Sequence, residues 1–387
     1  MARTAFWGFE SNDSSTSGTG IEKRQGTGCS FDTSTVRTGT YSGKVALTSG
    51  STGFFTFPTP TSGYCRFYVL VTSRPATTAR ILFGSAAAAG FINLRLNPAG
   101  TIGFYTQNTL IGTSTTALTD TSRWYMIELR RADGTSVTVL QIDGVAEVTG
   151  SPSSWTLAAS CGSTDTVADT YTAYFDDLTL DGAAFPGPGK VVLLKPTADS
   201  AVGTGWTLGT GTAISSNGFG SVDNTPPVGV TNLEAGSDPK QIRNAASAAN
   251  SNYDATMTTY TAVGIGASDT INSIDPFVLT AAPVVTSAKQ GTVGVASNPA
   301  ITNIALSVDG AFWEGNAEGT YSTGWKLSHG TLTSSPSVTL GTAPVMRITQ
   351  VTSSTRIATV CFMGIYVDYT EHRSPPFSRR HRNYIIR

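Results

Sequence analysis

Three histidines, His329, His372 and His381, serve a chain of 387 residues, and all lie in its last fifth. A Ser-His-Asp or Cys-His nucleophile needs an imidazole that reaches both the nucleophile and an orienting acid. His372 and His381 sit among arginines, so neither this chemistry nor a histidine-ligated metal is expected. Cys29, Cys65, Cys161 and Cys361 show no C-x-x-C spacing, which argues against a zinc ribbon. Three of them fall in the first half, so at least one is unpaired there. Buried small apolar side chains are the expectation, with a disulfide as the alternative. Neither a dinucleotide fingerprint nor a phosphate loop occurs. Gly187-Pro188-Gly189-Lys190 has Ala184 where a phosphate loop needs glycine, and Val191 follows its lysine.

Carboxylate pairs are the remaining route to catalysis, because a glycosidase needs only two acids flanking one sugar. The candidates are Glu314 with Glu318 and Asp176 with Asp177. Glu314-Gly315-Asn316-Ala317-Glu318 reads as a solvated polar loop. Asp176 and Asp177 are neighbours on a predicted strand, where alternation sends them to opposite faces. Either pair could join loop carbonyls in a Ca²⁺ site, and no other cofactor is expected. Trp155 and Trp313 could stack on sugars if exposed, although core packing is the expected use of each. No enzyme is expected.

The elements that would position such groups are strands. Charged residues make up 13% of the chain and hydrophobic residues 39%, with 41 glycines, so hydroxyls of Ser and Thr must solvate much of the surface. Thr favours a pleated backbone, and aromatic residues spread along the chain argue for packed cores rather than disorder. Tyr64 to Val71, Phe91 to Leu96 and Tyr171 to Leu180 read as strands, with Asn97-Pro98-Ala99-Gly100 as a turn. In Trp124 to Arg130, Tyr125, Ile127 and Leu129 share one face and Glu128 and Arg130 the other, which predicts a half-buried antiparallel strand. Val137 to Ile142 follows, and Asp143-Gly144 predicts a tight hairpin. Turns about every ten residues without a helical period predict a sandwich.

Ala184-Phe185-Pro186-Gly187-Pro188-Gly189 interrupts the pattern. The expected organisation is a β-sandwich at 1–185, a Pro/Gly hinge with an opening strand at 186–196, a second sandwich at 197–370 and a basic extended arm at 371–387. One short helix is expected in the second half, capped by Asp238, started by Pro239 and running over Lys240 to Ala249. Strands are expected at Ala262 to Ile265, Val284-Val285, Ile304 to Val308, Val345 to Ile348 and Ile357 to Val367. In the arm, Arg373, Arg379, Arg380, Arg382 and Arg387 stand with Phe377, Tyr384 and Ile385, while Pro375-Pro376 keeps the backbone extended. Docking on an acidic neighbour is the expected role, with a solvated tail as the alternative and nucleic-acid contact a remote one.

Net charge is −1, which gives no general attraction to nucleic acid or to an acidic membrane. No apolar run reaches the roughly 20 residues of a membrane span, and Arg3 with its aromatic neighbours does not resemble a secretory leader. Synthesis in a cytoplasm without general export is therefore expected.

Five stretches then carry a resemblance: Trp7-Gly8-Phe9-Glu10, Arg37 to Val45, Trp124 to Arg130, Gln141 to Val145 and Tyr174 to Leu178, in that order. Together they resemble a concanavalin A-like (laminin G-like) jelly roll over roughly 1–185. The glycosidase motif E-x-D-x-x-E of that fold is absent, and the calcium loop of legume-type lectins is not recognisable. The second half, with Lys190 to Asp199, Trp206 and Ser221 to Pro227, is similar to the partner domain of bacteriophage minor tail proteins with a laminin G-like domain. That resemblance implies an all-β virion structural protein, made in the host cytoplasm and placed at the tail tip for host attachment or tail assembly. Its implied partners are other virion proteins, copies of itself and a host-surface glycan. A capsid decoration protein is the alternative, and a glycan-binding or glycan-hydrolysing enzyme a remote one.

Overall fold

The computed structural model describes residues 3–10, 23–57, 63–85, 91–130, 137–150, 156–157, 160–166, 168–208, 212–215, 218–222, 242–244, 251–281, 303–308, 311–316, 325–329, 333–334, 336–350 and 359–372. These residues form strands and turns with two short 3-10 turns, arranged in four sheets. Among them no helix is long and apolar enough to cross a membrane.

The first sheet runs, edge to edge, Val145–Gly150, Val137–Ile142, Tyr125–Arg130, Tyr64–Ser73, Tyr171–Asp181, Ser42–Leu47 and Cys29–Asp32, and Arg3–Trp7 pairs with the end of Tyr171–Asp181. The second runs Thr109–Ala117, Thr101–Thr106, Phe91–Leu96, Arg80–Gly84, Ser160–Ser163, Gly53–Thr56 and Lys23–Gly26. Alternation along Tyr64–Ser73 turns Cys65, Phe67, Val69 and Val71 into the space between these sheets, where the Phe67 and Phe83 rings stack with centroids 4.5 Å apart. The third sheet is built on Thr359–Thr370 and Thr270–Ala281, which pair along most of their length, and Lys190–Leu194 adds to Thr359–Thr370. The fourth runs Pro196–Val202, Ser251–Met257, Val345–Gln350, Asn303–Val308 and Ala311–Asn316. Val192, Leu194, Met363, Ile365 and Val367 meet Tyr253, Met257, Met346 and Ile348 between the third and fourth. The expected all-β, two-sandwich class is what the chain adopts.

The two sandwiches stand back to back. Odd residues of Lys190–Leu194 and even residues of Thr359–Thr370 turn away from the second core, and Val191, Leu193, Phe362 and Tyr366 join the core of the first. Tyr125–Arg130 is not half-buried: Tyr125, Ile127 and Leu129 face the inner core as expected, but Glu128 is also buried, with the Pro/Gly segment bonded to its carboxylate. The Pro/Gly segment passes the chain across this junction under firm hold. Gly187 N–H donates to Glu128 Oε1 (2.7 Å), Gly189 N–H to Tyr68 Oη (3.3 Å), and the Gly187 carbonyl accepts from Arg66 (3.0 Å).

Local expectations divide by whether a turn or a distant strand decides them. Asp143 and Gly144 have φ of 51° and 80°, the left-handed pair of a two-residue hairpin, as their types predict. The expected helix is contradicted where it can be seen. Ile242–Asn244 is a strand between Trp206–Leu208 and Thr359–Thr370, and buried Ile242 fills that slot, so sheet closure overrides local propensity. The rest of the helical expectation lies outside the described residues, as do Val284 and Val285. Ala262 to Ile265 is not a strand either: Thr261–Val263 is a 3-10 turn ended by Gly264 at φ 92°, and buried Ile265 pins it. Glu314 lies on strand Ala311–Asn316 opposite Ala305, not in a loop. Cys29, Cys65 and Cys161 are buried free thiols, and burial pushes the Cys65 and Cys161 thiols well above their usual range.

Candidate functional site

The hairpin tip is where the site begins. Strand Tyr125–Arg130 pairs with Val137–Ile142, and Asp143 then folds back onto it: its N–H donates to the Met126 carbonyl (2.8 Å) and its Oδ1 accepts from Met126 N–H (2.9 Å). Arg123, just ahead of the strand, pairs with Asp143 Oδ2 at 2.6 Å and lies over the Tyr125 ring at 4.8 Å. Trp124, next along the chain, is half-buried and lines a cleft with Arg123 and Asp143.

Across from this tip lies the junction segment. Lys190 Nζ pairs with Glu371 Oε1 at 2.9 Å, Thr370 Oγ1 donates to the Pro188 carbonyl (3.2 Å), and His372 N–H donates to Asp269 Oδ1 (2.8 Å). Together these walls enclose a cleft of about 930 Å³ at the seam of the two sandwiches. Arg37 and Tyr68 form its floor, with the guanidinium 3.3 Å from the ring centroid. Arg37 also bonds the Gly189 carbonyl (3.0 Å) and the Asp177 carboxylate, so its charge is tied down.

Beneath the floor sit the two adjacent acids, and the structure corrects their expected geometry. Asp177 has φ 51° and the ladder with Tyr64–Ser73 slips between Asp176 and Thr179. This bulge breaks the alternation, and both carboxylates end on the same segment. Asp176 Oδ2 accepts from Arg37 and Thr38 N–H (3.0 and 3.1 Å), and Asp177 Oδ2 accepts from Thr38 Oγ1 (3.0 Å) and Arg37. Burial raises the Asp176 carboxyl well above its usual range, and the charges of Asp177 and Glu10 add to the rise. Neither acid reaches solvent. Their oxygens already meet N–H, O–H and guanidinium donors, an arrangement that suits neither a Ca²⁺ ligand set nor a sugar between two acids. Among the described residues no group of three or more His, Cys, Asp or Glu is placed to hold a metal ion.

Among the described residues, His372 is the sequence-predicted candidate at the rim of this cleft, and Asp176 and Asp177 lie beneath its floor. Arg373, Phe377, Arg379, Arg380, Arg382, Tyr384, Ile385 and Arg387 lie outside the described residues, as do His381, Glu318 and Trp155. Trp313 and Glu314 are on strand Ala311–Asn316 of the fourth sheet, and His329 pairs with Phe277 at the end of Trp325–His329 in the third. What the sequence held was Trp124 as a strand start and the turn Asp143-Gly144. That they meet Lys190 and Glu371 depends on the back-to-back packing, for which no local signal exists.

No protein-family model and no curated protein matches the chain. Among solved structures it is similar to domain 4 of AbnA, an extracellular arabinanase from Geobacillus stearothermophilus, in complex with arabinotriose. That match has 19% identity, covers 48% of this chain and 95% of that one, and gives a TM-score of 0.34. An N-terminal tandem of CBM22 domains from Paenibacillus barcinonensis aligns at 10% identity over 96% and 98% of the two chains, with a TM-score of 0.23. The botulinum neurotoxin serotype D binding domain aligns at 10% identity over 87% and 91%, with a TM-score of 0.33.

Proposed function

We propose that this protein is a non-enzymatic structural and binding component of a bacteriophage virion, a minor tail protein that contributes to host-surface attachment. The observation that carries the binding reading is the state of the acids: Asp143 and Glu371 in the cleft are each ion-paired, and Asp176 and Asp177 are sealed beneath it. Such groups present donors and acceptors already committed to partners, a pattern that suits recognition of a bound molecule. The virion reading is supported by the ordered resemblance of the first half to laminin G-like domains and of the second half to their partner in phage minor tail proteins. Its partners are then other virion proteins, further copies of this chain and a host-surface glycan, with weak contacts multiplied by symmetry into avidity.

Gold-labelled antibody against the chain, applied to purified particles, tests this. Label at the tail tip together with blocked adsorption is the expected result. Label over the head shell replaces the tail reading by capsid decoration, and particles that lack the protein overturn the virion reading.

A further inference from the structure

We propose that the cleft at the seam binds a short neutral oligosaccharide against Trp124. The inference rests on the reading of the protein as a binding module and gives that module its ligand class. Three features select a saccharide. The cleft, at about 930 Å³, lies at the upper end of the roughly 300–1,000 Å³ of small-molecule sites, which leaves room for more than one sugar ring. Its wall carries a half-buried indole, an apolar plane of the kind on which the C–H face of a pyranose packs. The same cleft is lined by two ion pairs, Arg123 with Asp143 and Lys190 with Glu371.

An ion pair sets an acceptor and a donor side by side. Vicinal hydroxyls, each able to donate and accept, match that pattern. Because the pairs are already formed, part of the side-chain freedom that a ligand would have to restrict is already given up.

The same pairing argues against anions. Arg37, Arg123 and Lys190 each have a carboxylate partner in Asp177, Asp143 and Glu371. A phosphate or uronate would have to displace a partner or sit beside Asp143 and Glu371, whose charge opposes it. Nucleic acid, which also stacks on indoles, needs uncommitted cations along its backbone, and the lining offers none of that kind among the described residues.

The test uses the full chain and four neutral probes, maltotriose, cellotriose, mannotriose and chitotriose, against trigalacturonate, by calorimetry with tryptophan fluorescence alongside. At least one neutral probe is expected to bind in the roughly millimolar range or tighter, and more tightly than trigalacturonate. Trp124→Ala is expected to weaken that binding about tenfold or more, and Trp124→Tyr to restore part of it. Glu371→Gln removes a carboxylate at the exposed rim beyond the strand, so it should weaken binding without moving the melting temperature, which guards against a folding artefact. Failure of all four neutral probes, preference for trigalacturonate, or binding unchanged in both Trp124→Ala and Glu371→Gln overturns the proposal. Particle labelling and sugar binding are independent readouts, so each reading can fail while the other stands.

Discussion

On the carboxylate of Asp368 two guanidinium groups converge: Arg3 Nε donates to Oδ2 at 2.8 Å and Arg66 Nη2 to Oδ1 at 3.0 Å, with Asn272 Nδ2 on Oδ2 at 3.1 Å. All three charged side chains are fully buried, and Asp181 supplies a second partner for Arg3 at 2.9 Å. Burial alone would raise the Asp368 carboxyl, but Arg66 and Arg3 outweigh it and hold the group below its ordinary range. A depressed acid stabilises the fold above its unfolded value and loses that contribution as pH falls through the folded one. Asp368→Asn keeps the shape and removes the charge, which leaves Arg66 buried with only carbonyl and hydroxyl partners. The expected cost is about 3–5 kcal/mol at neutral pH, read by urea unfolding. The variant should also lose stability less steeply than the parent on acidification below pH ~4. Equal stability of variant and parent at neutral pH would show that the cluster holds nothing together.

Between strands, the closest approaches are made through glycine. Gly162, in Ser160–Ser163, has φ 109°, and a Cβ there would stand 2.4 Å from the Gly53 carbonyl oxygen and 2.9 Å from Phe54 Cα. Both are backbone of the neighbouring strand and cannot step aside. Gly144 at the hairpin tip has φ 80° with open space around it. Gly162→Ala should therefore cost roughly 2–3 kcal/mol, and Gly144→Ala only about 1 kcal/mol for its left-handed backbone. Thermal unfolding of the two variants would expose a wrong register if the order were reversed. These elements also show what a sequence can and cannot say. The tip at Asp143-Gly144 and the strand Phe91–Leu96 were legible because turn chemistry and alternation act within a few residues. Ile242–Asn244 was misread because its partners, Leu208 and Val360, are distant in sequence and local propensity favoured a helix. The bulge at Asp177 hid the convergence of two acids, since alternation is a rule for regular strands only. Of the cleft, Trp124 and the turn Asp143-Gly144 were legible only as a strand start and a hairpin tip, and neither Arg123 nor their meeting with Lys190 and Glu371 was.

At the scale of the whole molecule, the two sandwiches share one continuous interior, because Val191, Leu193, Phe277, Phe362 and Tyr366 of the third sheet belong to the core of the first pair. A linker tying two independent bodies would leave few such contacts. Heating the full chain should accordingly give one calorimetric transition with matching calorimetric and van't Hoff enthalpies, whereas two separated transitions would mean that the seam is weaker than its buried ions and aromatic residues suggest. The seam also has a history during synthesis. Arg3 and Asp368 are 365 residues apart. A ribosome working at roughly 5–20 residues per second takes roughly 20–70 s to join them. For roughly the second half of that interval, once Tyr171–Asp181 has been made, the nascent first sandwich carries Arg3 and Arg66 without their shared counter-ion. Thr359–Thr370, the last of the described strands to be made, is the one that lets the first sandwich close, so the yield of this fold is expected to respond to translation speed and chaperone access.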